Sequence, residues 1–204
     1  MSSRRSSKPA DPAREEPAAG LRRAVIDAAI SVVAELGPEA VSMRDIARHA
    51  GVSHQAPYHH FGDRAGVFAA IAEEGFRQLE HGISSISADE VAMHGAIGAV
   101  MRRYVQFALG HVGEFRVMFR SELSGINTNE AIRASGERCY EAVARVMAGA
   151  ANDGLALDDA VVLVWAHAHG LAVLLIDGPL RGRMPAGRTL DDLIATAEQR
   201  LSRP

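Results

Sequence analysis

The chain has 204 residues, 48% of them hydrophobic and 23% charged, which is enough material to bury a core and excludes a wholly disordered chain. Its formal net charge is −3, against the basic excess usual in nucleic-acid binders, but the charge is unevenly spread. Residues 1 to 64 hold nine Lys/Arg against eight Asp/Glu and residues 65 to 204 hold thirteen against seventeen, so charge permits phosphate binding in the first third without arguing for it. Cys139 is the sole cysteine, which excludes an internal disulfide framework and a cysteine-based zinc site.

The first residues, MSSRRSSKPADPAREEPAAG, lack the apolar core of a signal peptide, and residues 1–18 read as a flexible arm. From Leu21 to Leu36, apolar residues recur every three or four positions, which predicts an amphipathic helix ended by Gly37-Pro38. Ser42, followed three residues later by Asp45, predicts a capped helix of barely two turns that stops at Gly51. Ser53 is the predicted cap of a third short helix ending near Phe61, and a longer helix is predicted from Arg64 to His81 with Val67, Phe68, Ile71, Phe76 and Leu79 inward.

The remaining periodic segments predict helices over about 90–109, 112–123, 129–151, 158–176 and 189–201, with residues 177–188 as a loop. No stretch alternates as a strand would. The expectation is an all-α chain of about nine helices. The longest apolar run, Val161 to Ile176, carries His167 and His169 and is too short to span a bilayer, so a soluble cytoplasmic protein with no membrane partner is expected.

Two short helices joined by Gly51-Val52, with a helix before them, fit a helix-turn-helix over about 42–61, in which the second helix enters the major groove. Val41, Ile46, Ala47, Ala50, Val52 and Phe61 can form a small core with Val25, Ala29 and Val33, leaving Arg44, Arg48, His54, Gln55, His59 and His60 outward. Metal binding is the rival reading of the histidines. His49, His54, His59 and His60 are spaced five, five and one apart, not the three or four that place two ligands on one helix face, and no complementary carboxylate or cysteine accompanies them. Exposed histidines without a role are the bland alternative.

The order of Gly37, Ser42-Met-Arg-Asp-Ile-Ala, Ala50-Gly51-Val52-Ser53 and Tyr58-His-His-Phe61 resembles the DNA-binding domain of the tetracycline-repressor (TetR) family of bacterial regulators, over about residues 19–79. Beyond it, residues 104–119 and WAHAHG, 165–170, resemble a subgroup marked by Trp, three residues and His-Gly. The resemblance implies a DNA-binding domain at 19–79 and an effector-binding and dimerisation domain at 80–204. It implies a repressor of a palindromic operator that is a homodimer through its last two helices, 158–176 and 189–201, and is released by a small-molecule effector.

Position by position, the resemblance implies DNA contacts from Ser42, Arg44, Ser53, His54, Gln55, Tyr58, His59, His60 and Arg64. Gln55 has the amide that pairs with adenine, and Arg64 stands where the family usually has lysine. Pro57 departs from the family, which usually has an aliphatic residue there, and it disturbs the first turn of a helix capped by Ser53. Candidate effector-site residues are Tyr104, Phe107, Met118, Phe119, Tyr140, Trp165 and His169, apolar positions with a few polar handles that read equally as core. His169, an imidazole on an apolar face, needs a partner in protein, water or ligand. No catalytic residue, metal ligand or cofactor motif is assigned. The rival functions are an architectural DNA binder without an effector and a histidine-based metalloenzyme.

Overall fold

The computed structural model describes residues 12–125, 127–149, 156–180, 183–184 and 187–201. Among the described residues there are ten α-helices, one short 3-10 turn at Pro38–Ala40, and no strand. The chain divides into two compact units, residues 1–67 and 68–204.

The N-terminal unit holds α1 (Pro12–Leu36), α2 (Met43–His49), α3 (Ala56–Phe61) and the first residues of α4 (Arg64–Ser84). Its core is the small set that periodicity assigns: Val25, Ala29, Val33, Val41, Ile46 and Ala47 are buried, while Ala50, Val52 and Phe61 are half-buried. Leu36, expected inward, is 56% exposed at the last residue of α1. Helix α1 starts at Pro12, nine residues before the predicted Leu21, since Ala- and Glu-rich turns support a helix without an apolar stripe for periodicity to detect. Residues 1–11 of the expected arm lie outside the described residues.

The C-terminal unit continues α4 and adds α5 (Ala88–Gly110), α6 (Val112–Met118), α7 (Ser121–Ser124), α8 (Glu130–Ala148), α9 (Leu157–Ile176) and α10 (Leu190–Leu201). Helix α9 packs along α5 and α8, and α10 packs on α5. Caps set the starts. Ser87 and Glu90 form a reciprocal capping box at α5, and Asn129 Oδ1 accepts from the amides of Ala131 and Ile132 at 3.0 and 3.4 Å to begin α8.

Two predicted helices are interrupted. Helix α5 breaks at Gly95, and the predicted 112–123 helix is two pieces, because Phe119 and Arg120 leave helical dihedrals while the apolar spacing runs on across them. The last predicted residues of α8, 150 and 151, and residues 181, 182, 185 and 186 of the predicted loop lie outside the described residues. Helix α9 is longer than the apolar run predicts. Among the described residues it alone is long and apolar enough to cross a bilayer by length and composition, so the length argument against a span lapses. What weighs against one is the pair His167 and His169 in its middle and its packing on α5 and α8.

Candidate functional site

The turn between α2 and α3 is built by backbone hydrogen bonds. Gly51 adopts φ 66°, a left-handed conformation that favours glycine, while the Gly51 and Val52 amides donate to the carbonyls of Arg48 and Ala47 at 3.3 and 3.1 Å. This paired closure satisfies the end of α2 and redirects the chain toward α3. At the other end of α2, Ser42 Oγ accepts from the Asp45 amide at 3.2 Å and donates to its carboxylate. Those bonds from Ser42, then the nearby Arg48, hold the Asp45 carboxyl below the usual range. Half of the expected capping box is present, since Asp45 returns to the Ser42 hydroxyl.

Pro57 settles where α3 begins. Ser53 is not its cap: the helix starts at Ala56, Gln55 is the residue before it, and the Ser53 carbonyl accepts from the Ala56 amide at 3.0 Å in a tight turn. With the later start Pro57 occupies the second helical position, where no intrahelical donor is required, and its ring is buried beside Ala56. The first intrahelical bond instead runs from the His59 amide to the Gln55 carbonyl at 3.1 Å. A start at Ser53 would have placed proline where that donor is needed.

The later start fixes which side chains face outward. Ser53, His54, Gln55, Tyr58 and His59 are exposed, with the His54 and Tyr58 rings 5.7 Å apart. His60 is less exposed than these, with its ring 6.3 Å from that of Phe61. Ser42, the cap of α2, and Arg44 in its first turn are exposed, and Arg44 has no ion pair or hydrogen bond among the described residues. Arg64 is half-buried, and its guanidinium donates to the carbonyls of Val41 at 3.1 Å and Glu39 at 3.5 Å. It ties the start of α4 to the segment before α2. Arg22, which sequence reasoning passed over, lies with its guanidinium 5.3 Å from the Phe61 ring centroid. The signal that could have found it is the exposed face of α1, where arginines at 22 and 23 follow one another.

In the C-terminal unit a narrow apolar cavity of about 20 Å3 lies among four helices and the residue closing a fifth. Helix α4 contributes Phe76 and Leu79, α5 Val100 and Tyr104, the end of α6 Phe119. Helix α8 contributes Cys139 and Tyr140, and α9 Val161, Trp165 and Ala168. It adjoins an open vestibule of about 530 Å3 that shares Phe76, Phe119, Tyr140 and Trp165 and adds Asn127, Arg133 and Glu137 at its rim.

Of the residues the sequence nominates, Tyr104, Phe119, Tyr140 and Trp165 line this space. Phe107 does not: it is buried and stacks on His111 at 4.9 Å. Met118 is also elsewhere, fully buried where a Cβ on Gly75 of α4 would come within 2.5 Å of its sulfur. His169 stands behind the cavity wall, its Nδ1 2.9 Å from the Tyr104 hydroxyl and its ring 4.8 Å from that of Phe119. The partner this imidazole needs is therefore protein. Burial lowers its pKa and favours the neutral ring. Burial likewise pushes the Tyr104 phenol up, partly offset by Trp165, and pushes the Cys139 thiol up to about 12, so that thiol carries no charge at neutral pH.

Sequence reasoning missed Phe76 and Leu79 as cavity residues, assigning them to core, because their spacing says only that they face inward. Among the described residues no group of three or more His, Cys, Asp or Glu is placed to hold a metal ion.

Residues 25–71 match the family described as "Bacterial regulatory proteins, tetR family", and residues 97–197 match "Tetracyclin repressor-like, C-terminal domain". No curated protein sequence matches the chain. Among solved structures, a Rhodococcus protein of unknown function is 27% identical, with TM-score 0.68, over 89% of this chain and 93% of that one. The fatty acid degradation regulator FadR from Bacillus halodurans is 15% identical, with TM-score 0.66, over 96% and 97%. The TetR family transcriptional regulator PfmR from Thermus thermophilus is 19% identical, with TM-score 0.58, over 89% and 94%; at these two identities the likeness is one of fold.

Proposed function

Because the chain belongs to the TetR family of bacterial DNA-binding transcriptional regulators, which are not enzymes, we propose that it is a homodimeric repressor of a palindromic operator, released by a small-molecule effector. The observation that carries this reading is the outer face of α3 and the residue before it, where Gln55, Tyr58 and His59 are exposed while Ala56 and Pro57 hold the helix to its own core. A helix held so, with a preceding turn closed by Gly51, offers its first turn to base edges and leaves Ser42 and Arg44 for phosphates. Arg64 acts in this reading by positioning α4, since two carbonyls already occupy its guanidinium.

In the proposed division of labour, residues 19–79 bind DNA and 80–204 bind effector and partner. The Trp165-x-x-x-His169-Gly170 spacing supports assignment to the subgroup with that mark. Helix α9 supports dimerisation: Val162, Leu163 and Leu174 are 55%, 39% and 44% exposed, and a Cβ on Gly170 would meet nothing within 4 Å. The cytoplasm, where operators are, is the expected compartment.

The coupling proposed runs through α4. Phe76 and Leu79 of α4 line the cavity, so a ligand that pushes the rings apart moves the same helix whose first turn Arg64 fixes in the N-terminal unit. Arg44→Ala tests the DNA-facing assignment: it should weaken binding to all operators alike and lower the salt slope of log K by about 1. An unchanged slope would remove Arg44 from the phosphate contacts.

A further inference from the structure

The vestibule combines two chemistries that together select a ligand class. It concentrates aromatic rings: Phe76, Phe119, Tyr140 and Trp165 line it, four of the ten Phe, Tyr and Trp residues in the chain. Phe119 lies with its ring centroid 5.3 Å from that of Phe76 and 6.0 Å from that of Trp165, and Trp165 is 37% exposed. The faces of such rings carry negative potential and attract a cation.

The charges point the same way. Arg133 is the basic residue of the rim, and its guanidinium is already engaged by the Glu130 carboxylate through three contacts of 2.6 to 3.1 Å. Glu137, one helical turn further along α8, lines the rim with no hydrogen bond or ion pair among the described residues. Asp158 and Asp159, in the first turn of α9, are outside the lining but act on Tyr140, whose hydroxyl donates to Asp158 at 3.4 Å. The Tyr140 phenol is pushed up, by burial first and then by Asp158, Glu137 and Asp159, so this ring sits in a negative field. The lining itself holds one carboxylate, Glu137, and one guanidinium, Arg133, and the guanidinium is already paired with Glu130 outside the lining, so the charge left to meet an entering ion is the negative one.

Resting on the effector-binding role proposed above, we propose that the vestibule selects a hydrophobic organic cation, with Phe119, Tyr140 and Trp165 cradling the charged group and Glu137 as its counter-ion. The inner cavity of about 20 Å3 holds no more than a water-sized group, so the ligand body lies in the vestibule unless the ring cluster opens. Arg133, paired with Glu130, offers an anion little unpaired positive charge among the lining residues.

The test uses the full-length protein and two hydrophobic ions of near-identical shape and opposite charge, tetraphenylphosphonium and tetraphenylborate. Trp165 is the only tryptophan, so its fluorescence reports binding at the vestibule directly. The phosphonium is expected to bind roughly tenfold or more tightly than the borate, and Glu137→Gln to weaken the phosphonium roughly tenfold without weakening the borate. Glu130→Gln, which releases Arg133, should strengthen borate binding and leave the phosphonium preference of the parent protein explained by charge. Circular dichroism checks that both variants are folded. Borate binding equal to or tighter than phosphonium, binding of neither ion, or an unchanged phosphonium affinity in Glu137→Gln would each overturn the proposal. Operator release is measured separately by fluorescence anisotropy of labelled DNA. Phosphonium that binds without releasing operator supports the ligand class and contradicts the effector role, whereas release by a neutral or anionic ligand in a protein that ignores phosphonium does the reverse.

Discussion

In the N-terminal unit, the outward side chains of α3 are aimed by devices within about ten residues of them: the Gly51 turn, the buried Pro57 and the tight turn from Ser53 to Ala56. In the C-terminal unit, the cavity draws on residues from Phe76 to Ala168, brought together only by the packing of α4, α5, α8 and α9. The first site is a matter of local backbone chemistry, the second of long-range packing. The difference teaches that a reading surface can be specified by a short motif, whereas a ligand space is specified by whichever side chains a whole bundle leaves facing one another.

The comparison can be broken or sharpened by substitution. The largest expected effect is in the small core that supports α3: Ile46→Ala removes a fully buried side chain and should cost ~2–5 kcal/mol in denaturant unfolding. A cost below 1 kcal/mol would mean that the local devices stand without the core beneath them. Gln55→Ala should next cost roughly 1–3 kcal/mol of operator binding at one base position only, read by affinity across single-base operator variants. Uniform loss over all variants would make Gln55 a backbone contact.

Ser42→Ala removes the cap of α2 and should cost ~1 kcal/mol of stability, measured by thermal or denaturant unfolding. Pro57→Ala should cost ~1 kcal/mol or somewhat more, from freeing the unfolded chain and from losing the buried ring, because proline at this helical position forfeits no hydrogen bond. A gain of several kcal/mol would show that the ring strains the turn.

The smallest effect belongs to the cavity wall. Burial lowers the pKa of His169, so at acid pH the unfolded chain takes up this proton more readily than the folded one. Stability should therefore fall as pH drops below the unfolded value of about 6.5 and level off below the folded value. His169→Gln should flatten that part of the unfolding-against-pH curve; an unchanged curve would mean that other groups set it.

Much of the N-terminal unit was legible because its determinants are short-range: Ser42, Gly51 and the inward set Val25, Ala29, Val33 and Ile46 each announce a cap, a stop or a face. What escaped was the start of α3, since weighing the Ser53 cap against Pro57 required knowing that the chain could make a tight turn in between. In the C-terminal unit, helix extents were legible for α4, α8 and α9, and the break at Phe119 was not, because Phe115 and Phe119 keep helical spacing across it. Sequence spacing could nominate Tyr104, Phe119, Tyr140 and Trp165 as inward aromatics. It could not separate them from Phe107 and Met118, which face inward as well but pack against His111 and Gly75.

The most direct test of the central claim is selection of bound duplexes from a random DNA pool by the purified full-length protein. The account predicts enrichment of a two-fold symmetric sequence whose half-sites are spaced by about 34 Å or a multiple, one for each recognition helix of a dimer. Retention of DNA without any enriched sequence, or enrichment of a single asymmetric site, would contradict it.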